Sequence, residues 1–289
     1  MIHIICNPIA GNGRARKIGE QIKDKLQDKG IPFRLLWTEH PGHATILAKE
    51  ASEAGADTVL SVGGDGTAFE TAQGLAGSDT ALGLIPAGTG NDFAKAIGSP
   101  KTPEAALEFV LTHPPKKTDA GEINGRMFIN EIGTGFDVSV LDYAEKAKKY
   151  CRGLLPYLYG VIRTLFRFRS ISVTYSIDVK PAVTQEAFVI AVANGGMIGG
   201  GIPIAPEARV DDGMLDFLIV GKIQKRNLLP RLAGLMRGKI LVFPETTFVR
   251  ASSVVFSSPK TRVNIDGEIV NETQVIARIL PNVLWVHRK

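Results

Sequence analysis

Only two cysteines occur in the 289 residues, Cys6 inside an apolar run and Cys151 in a basic stretch. So placed, they exclude a disulfide framework, and a reducing cytosol is the expected compartment. Long hydrophobic runs are also missing: the longest, near Leu154 to Ile162, is interrupted by Pro156 and closed by Arg163. A bilayer-crossing helix needs about 20 apolar residues, so none is expected. The start, Met1 to Cys6, runs straight into Asn7-Pro8 without the charged segment and apolar core of a secretion signal. Neither sign of charge dominates, with 34 Lys+Arg against 29 Asp+Glu. The net +5 suits an anionic partner and is too slight to indicate nucleic acid. His3, His40, His43, His113 and His287 are scattered, with no H-E-x-x-H or C-x-x-C cluster for zinc and no G-x-S-x-G turn for a hydrolase nucleophile. There is no internal repeat and no low-complexity tract.

What is present is an ordinary globular composition, 44% hydrophobic and 22% charged, in a chain long enough for two domains. Up to about residue 118 strands and helices alternate. Ile2–Cys6, Phe33–Trp37, Thr58–Val62 and Ala81–Ile85 are expected strands. Helices are expected with Ile18, Ile22 and Leu26 on one face and Gly30 beyond the end, from about Gly42 to Ala54, and from a Thr102-Pro103 start to Leu111. This alternation predicts a doubly wound parallel sheet. From about residue 119 the texture turns β-rich. Strands are expected at Ser172–Val179, Ala187–Ala193, Leu215–Val220, Thr247–Phe256, Arg262–Ile265 and Val275–Ile279. Helices are expected near Val138–Lys149, Leu154–Phe168 and Arg226–Arg237. The expected boundaries are therefore 1–118 for an α/β domain and 119–289 for a mainly antiparallel one, with the last run, Val283–His287, free to pair with either.

Three glycine loops follow strands of the first domain: Asn7 to Gly13, Gly63 to Thr67, and Gly88 to Asp92. Glycines let a backbone come close to an anion, and a helix N-terminus behind the loop favours negative charge. The spacing fits neither G-x-x-x-x-G-K-[ST] nor G-x-G-x-x-G. Asp65, a carboxylate set among glycines, points to Mg²⁺ or a sugar hydroxyl between it and a phosphate. The competing reading is structural: Thr67-Ala68-Phe69-Glu70 has the T-x-x-E form of a helix-starting capping box. Asp266-Gly267 after Arg262–Ile265 is likewise a hairpin signal in its own right, and Gly195–Gly201 is either a flexible cleft lining or a wide turn. With no zinc site and no nucleophile, carboxylates, glycine loops and basic residues remain, an inventory that matches phosphoryl transfer.

Asn7-Pro8-Ile9-Ala10-Gly11, Gly63-Gly64-Asp65-Gly66-Thr67 with Glu70, Gly88-Thr89-Gly90-Asn91-Asp92, Asp211-Asp212-Gly213 and Asp266-Gly267-Glu268 occur in an order that resembles the diacylglycerol kinase catalytic-domain family, in particular its soluble bacterial lipid kinases. The resemblance spans nearly the whole chain. It implies a phosphofructokinase/NAD-kinase-like α/β domain followed by a β-sandwich domain, and ATP- and Mg²⁺-dependent phosphorylation of a lipid hydroxyl. Nucleotide would be lined by Asn7, Gly11, Thr38, Gly63, Gly64, Asp65, Gly66, Thr67, Ala68, Phe69, Glu70, Gly88, Thr89, Asn91 and Asp92. Asp65 would organise the catalytic Mg²⁺, and Asp266 or Glu268 would be the general base. Arg209, Asp212 and Met214 match a segment that holds a structural Mg²⁺ in similar enzymes. One departure stands out: relatives carry Leu-Asn or Ile-Asn where this chain has Ala68-Phe69, so an amide gives way to an aromatic ring.

A lipid kinase works at a membrane surface. Lys146, Lys148, Lys149, Arg152, Arg163, Arg167 and Arg169 around Leu154–Tyr159 form a basic and aromatic stretch suited to anionic headgroups, or else an ordinary packed amphipathic helix. The expected setting is the cytoplasm, with transient peripheral contact to the membrane and no nucleic acid. A homodimer stays open. G-G-D-G-T also resembles the loop of NAD kinases, so a soluble acceptor is an alternative, as is a nucleotide-binding regulator without turnover.

Overall fold

The structure, a computed structural model, describes residues 1–147, 149–151, 155–167, 169–258 and 262–289. Lys148, Arg152, Leu154 and Phe168, which belong to the helices and the basic stretch expected above, lie outside the described residues. The chain forms two compact units. The first comprises Met1–Ala120, Val210–Asp212 and Leu280–Lys289, and the second Gly121–Arg209 and Gly213–Ile279.

In the first unit β1 (Ile2–Cys6), α1 (Arg14–Asp28), β2 (Phe33–Trp37), α2 (His43–Glu53), β3 (Thr58–Gly63), α3 (Asp65–Leu75), β4 (Ala81–Pro86), α4 (Asp92–Ala96) and α5 (Pro103–Thr112) follow one another. The strands pair in parallel in the order β2-β1-β3-β4. β1, β3 and β4 are buried at every position, as strands covered on both faces must be. On one face α1 seats Ile18, Ile22 and Leu26 with Leu107 and Val110 of α5 against Ile4, Leu60 and Val62. On the other, α2 and α3 pack so closely that a Cβ at Gly74 would lie 2.3 Å from the Thr45 carbonyl oxygen. Helix ends follow the expected chemistry: Gly30 and Gly55 take positive φ beyond α1 and α2, and the Thr102 hydroxyl accepts from the Ala105 N–H with Pro103 in the first turn of α5. The capping box at Thr67 is not formed. α3 begins two residues earlier, at Asp65, so Thr67 lies within the helix.

β5 (Lys116–Ile123) leads into the second unit, which continues with β6 (Arg126–Phe128), β7 (Glu131–Gly135), α6 (Phe136–Ala147), α7 (Leu155–Arg167), β8 (Ile171–Ile177), β9 (Val183–Ala193), β10 (Met197–Ile198), β11 (Ile202–Pro203), β12 (Leu215–Gly221), α8 (Leu228–Met236), β13 (Thr246–Ala251), β14 (Ser253–Ser257), β15 (Arg262–Ile265), β16 (Glu268–Asn271) and β17 (Gln274–Val286). The pairing is antiparallel, in the order β16-β15-β7-β9-β8-β14-β17, with β12 joining β9 and β13. Val173, Phe217, Val254, Phe256 and Ile265 fill one core, while Leu218 and Val220 face a second with Ile240 and Phe243. β12 is therefore apolar on both faces, which is why Leu215–Val220 shows no alternation.

Two expected strands differ. Thr247–Phe256 is split, because the Asp178 carboxylate accepts from the Ser252 N–H and hydroxyl and from the Ser253 N–H, ending β13 and starting β14. Val275–Ile279 and Val283–His287 belong to one strand: β17 lies in the second unit up to Ile279, then pairs in parallel with β4 through Trp285 and Val286 in the first. Its local break is Asn282, at φ 56, whose N–H donates to the buried Asp119 carboxylate at 2.7 Å. Gly195–Gly201 contains the two-residue strand β10, which pairs with β11 around three glycines of positive φ.

Candidate functional site

The three glycine loops of the first unit meet beyond the carboxyl ends of β1, β3 and β4, where the order 2-1-3-4 places its switch point between β1 and β3. Most of their glycines answer to one another. A Cβ at Gly11, where φ is +59°, would lie 2.0 Å from the Ala87 carbonyl oxygen, and one at Gly88 would lie 2.5 Å from the Gly64 Cα. One at Gly63 would lie 2.4 Å from the Thr67 hydroxyl. The Asn7 amide donates to that hydroxyl at 3.3 Å, and the Ala87 and Gly88 N–H groups donate to the Gly63 carbonyl. Gly13 and Gly66 are different, with nothing within 4 Å of their would-be Cβ atoms, and of the two only Gly66 lines the cavity between the loops.

Together the loops enclose a cavity of about 470 Å³ lined by Asn7, Gly11, Thr38, Gly64, Gly66, Thr67, Glu70 and Gly88, among others. α3 starts beside it after Gly64, with no side chain capping its first N–H groups, whereas at the start of α1 the Arg14 and Ala15 N–H groups donate to the Gly11 and Ala10 carbonyls. The α3 N-terminus presents partial positive charge to an anion. Gly63, Asp65, Ala68 and Asn91 line a much smaller hollow beside Gly64. Phe69, Thr89 and Asp92 line neither. Asn91 shapes its loop, its amide exchanging hydrogen bonds with the Gly88 N–H and carbonyl. Glu70 accepts from the Ala44 N–H at the start of α2. Of the basic residues at the start of α1, Arg14 donates to the Ala87 carbonyl and Arg16 lies over the Trp37 ring.

Asp65 Oδ1 accepts from the Asp92 N–H at 2.6 Å and the Phe93 N–H at 3.3 Å, starting α4. Burial, followed by the charge of Asp92, pushes the Asp65 pKa up, against the pull of those amides and that of Asn91. Two carboxylates crowd Gly90 here: a Cβ on it would lie 2.6 Å from Asp65 Oδ2 and 3.5 Å from Asp92 Oδ2. A divalent cation relieves such a pair.

In the second unit Asp266 and Gly267 take φ of 47° and 99°, the two positive values a two-residue hairpin between β15 and β16 requires. The Asp266 carboxylate accepts three backbone N–H bonds, from Ile129 at 2.7 Å, Asn130 at 3.0 Å and Glu131 at 2.8 Å. It holds the hairpin to the segment before β7. Glu268 has a 63% exposed side chain, with Arg126 at 3.8 Å. Of the two acids, Glu268 is the one open to solvent.

Arg209, Asp212 and Met214 flank a turn with Gly213 at φ 72°. The adjacent Asp211 pairs at 3.0 Å with Arg288, which also donates to the Thr118 hydroxyl and the Lys117 carbonyl. Among the described residues no three His, Cys, Asp or Glu side chains cluster as a metal site. The expected set at 209–214 has a single carboxylate, so its remaining ligands would be backbone carbonyls. Cys6 is no rival centre, because burial pushes its thiol up to about 12.

The sequence left Asp137 unmarked. It stands buried in the first turn of α6, and burial pushes its pKa up to about 7, against weaker pulls from the Val138 and Asp137 backbone N–H groups and the Asn264 amide, none of which makes a well-formed hydrogen bond to it. A folded-state value above that of the unfolded chain means the native state holds the proton more tightly, so stability falls as pH rises from 3.8 through about 7. Asp137→Asn cannot ionise. Its stability advantage over wild type should grow across that window and vanish near pH 4. Thermal unfolding against pH checks this; a difference independent of pH contradicts it.

A parallel α/β unit with a switch-point cavity ringed by glycine loops and an antiparallel β-rich unit make up a fold shared with NAD kinases. A crystal structure of an NAD kinase from Archaeoglobus fulgidus in complex with ATP aligns over 100% of this chain and 94% of its own, at TM-score 0.55 and 15% identity, which shows the fold alone. A crystal structure of a diacylglycerol kinase from Bacillus anthracis aligns over 100% and 96% at TM-score 0.75 and 24% identity. Residues 1–123 match the family described as diacylglycerol kinase catalytic domain, and residues 130–288 the YegS C-terminal NAD kinase beta sandwich-like domain. The diacylglycerol kinase of Mycobacterium tuberculosis is 30% identical over 98% of this chain and 94% of its own, and that of Bacillus subtilis 32% over 92% and 88%. A Pseudomonas aeruginosa protein named "Probable lipid kinase YegS-like" is 35% identical over 89% and 84%. The chain belongs to the diacylglycerol kinase family of bacterial lipid kinases.

Proposed function

We propose that this protein transfers the γ-phosphate of ATP, as its Mg²⁺ complex, to the hydroxyl of a diacylglycerol-like lipid. The observation that carries the reading is the single cavity formed by all three glycine loops and the start of α3, whose first N–H groups no side chain caps. Phosphates would take the open backbone at Gly66 and the α3 N-terminus, with Asn7, Gly11, Thr38, Thr67 and Gly88 completing the lining. Thr89, at the exposed tip of its loop, and Phe69 would meet the rest of the nucleotide. Asp65 would hold Mg²⁺, which neutralises phosphate charge, while Asp92 holds the loop through its N–H bond to Asp65. A second, structural Mg²⁺ would sit on Asp212 and the Arg209 and Met214 carbonyls. Glu268 would accept the proton of the lipid hydroxyl, since a hydroxyl is a poor nucleophile until its proton is taken.

Two features of the second unit support a lipid. An apolar cavity of about 80 Å³, lined by Val140, Tyr157, Val161, Leu232 and Phe243 among others, suits part of an acyl tail. Helix α7 exposes Leu155, Leu158, Tyr159 and Ile162, spaced along one face, with Arg163 and Arg167 nearby. Such a face fits transient docking on an anionic membrane at its cytoplasmic side. Among the described residues no helix is long and apolar enough to cross a membrane. An acceptor screen with Mg·ATP tests the reading: diacylglycerol in anionic vesicles should become phosphorylated, whereas NAD⁺ should not. Phosphate on NAD⁺ alone would overturn the lipid assignment.

A further inference from the structure

Beneath the Asp266–Glu268 hairpin lies a buried polar layer whose members nothing above assigns. β7 and β15 are adjacent, with Asn264 opposite Gly133 and Ile265 opposite Ile132. Ile132, Val263 and Ile265 point into the core. The alternate residues Glu131, Gly133 and Asn264 therefore share the other face, where α6 packs. Burial of this face is nearly complete, Glu131 being 4% exposed and Asn264 7%. The Asn264 Nδ2 donates to Glu131 Oε1 at 3.0 Å, and its Oδ1 accepts the Gly267 N–H at 2.8 Å. This amide can face only one way, because an oxygen against the Glu131 carboxylate would be repelled. The Asp137 carboxyl occupies the space a side chain at position 133 would need: a Cβ there would lie 2.3 Å from Asp137 Oδ2 and 3.2 Å from Glu131 Oε2.

We propose that Asn264, held by Glu131, is a positioning residue for catalysis: it clamps the Gly267 N–H and thereby fixes where the next side chain, Glu268, is presented. The inference rests on Glu268 being the base. Asp266 anchors one side of the two-residue turn through three backbone N–H groups, and Asn264 anchors the other through one. The Asp266 N–H also donates to the Glu131 carbonyl, and Glu268 pairs with Ile265 across the hairpin. Without Asn264 the Gly267 N–H loses its acceptor, so the direction of the glutamate that follows rests on that pairing alone while Asp266 still keeps the hairpin attached. Because a base must lie within hydrogen-bond reach of its proton, looseness of about 1 Å is costly.

Asn264→Ala, Glu131→Gln, Glu131→Ala and Glu268→Gln are compared in the lipid phosphorylation assay. Glu131→Gln can still accept from Asn264 and should stay within about threefold of wild type. Asn264→Ala and Glu131→Ala should lose about 10- to 100-fold in kcat with the KM for ATP unchanged. A merely structural role would lower the unfolding temperature without that split. Wild-type kcat in a folded Asn264→Ala, beside an inactive Glu268→Gln, overturns the inference and leaves the lipid kinase reading standing. Should wild type phosphorylate no lipid, that reading fails. Hydrogen exchange then decides the clamp: faster exchange at the Gly267 and Glu268 amides of Asn264→Ala supports it, and unchanged exchange overturns it.

Discussion

Glu268→Gln should abolish lipid phosphorylation while leaving the protein as stable as wild type, and Asp266→Asn should do the reverse in kind, lowering stability first. The two acids are separated by one residue, and their surroundings differ in what each carboxylate meets. Glu268 is largely solvent-exposed with a cation at 3.8 Å, so removing its charge strands nothing in the interior. What it removes is the proton acceptor we propose, and general bases contribute about 10²–10⁴-fold. Asp266 accepts three backbone N–H groups. Charge-assisted bonds of this kind are worth about 1.5–3 kcal/mol each, and an amide in its place both loses the charge and turns a donor toward an N–H. We expect about 2–4 kcal/mol of lost stability in Asp266→Asn. Thermal or urea unfolding beside initial rates separates the two. A stable Asp266→Asn with no activity, together with an active Glu268→Gln, would reverse the roles.

The second large effect concerns glycine. Gly66→Val should fold normally and lose ATP binding by at least about 100-fold, because a Cβ there meets no protein atom within 4 Å and the position lines the cavity. Gly88→Ala should fail differently. Its Cβ would stand 2.5 Å from the Gly64 Cα, backbone against backbone, so the loops must part. Overpacking of this sort costs about 1–3 kcal/mol, and it would disturb the cavity only through the fold. Calorimetric titration with ATP and thermal unfolding distinguish these outcomes. If Gly66→Val bound ATP like wild type, the phosphate position assigned here would be wrong.

These contrasts also show what could be read from the chain alone. The parallel sheet was legible because β1, β3 and β4 are short, mostly apolar runs that lead into glycine-containing loops, and because Thr102-Pro103 starts a helix in the expected way. Boundaries set by tertiary hydrogen bonds were not legible. The Asp178 carboxylate breaks Thr247–Phe256, and the Asp119 carboxylate absorbs the break at Asn282, each from a distant part of the sequence. The T-x-x-E pattern misled for a similar reason, since the Thr67 hydroxyl is engaged by Asn7 and Glu70 by α2. Three strands between residues 116 and 135 escaped notice; in β7, Glu131, Gly133 and Gly135 break the apolar alternation that marks a strand. In the candidate site, motif order singled out Asp266 and Glu268 together, and only the three N–H bonds on Asp266 separate them. Asp137 and Asn264 carry no motif at all, and burial and partners alone make them visible.

The most direct test of the account incubates wild type and Glu268→Gln with γ-labelled ATP, Mg²⁺ and diacylglycerol in anionic vesicles, with ATP affinity measured on the same preparations. The account predicts label in the lipid with wild type, at least about 100-fold less with the variant, and equal ATP affinity for both. Equal labelling by the two proteins, or ATP bound by wild type with no label in any lipid, would contradict it.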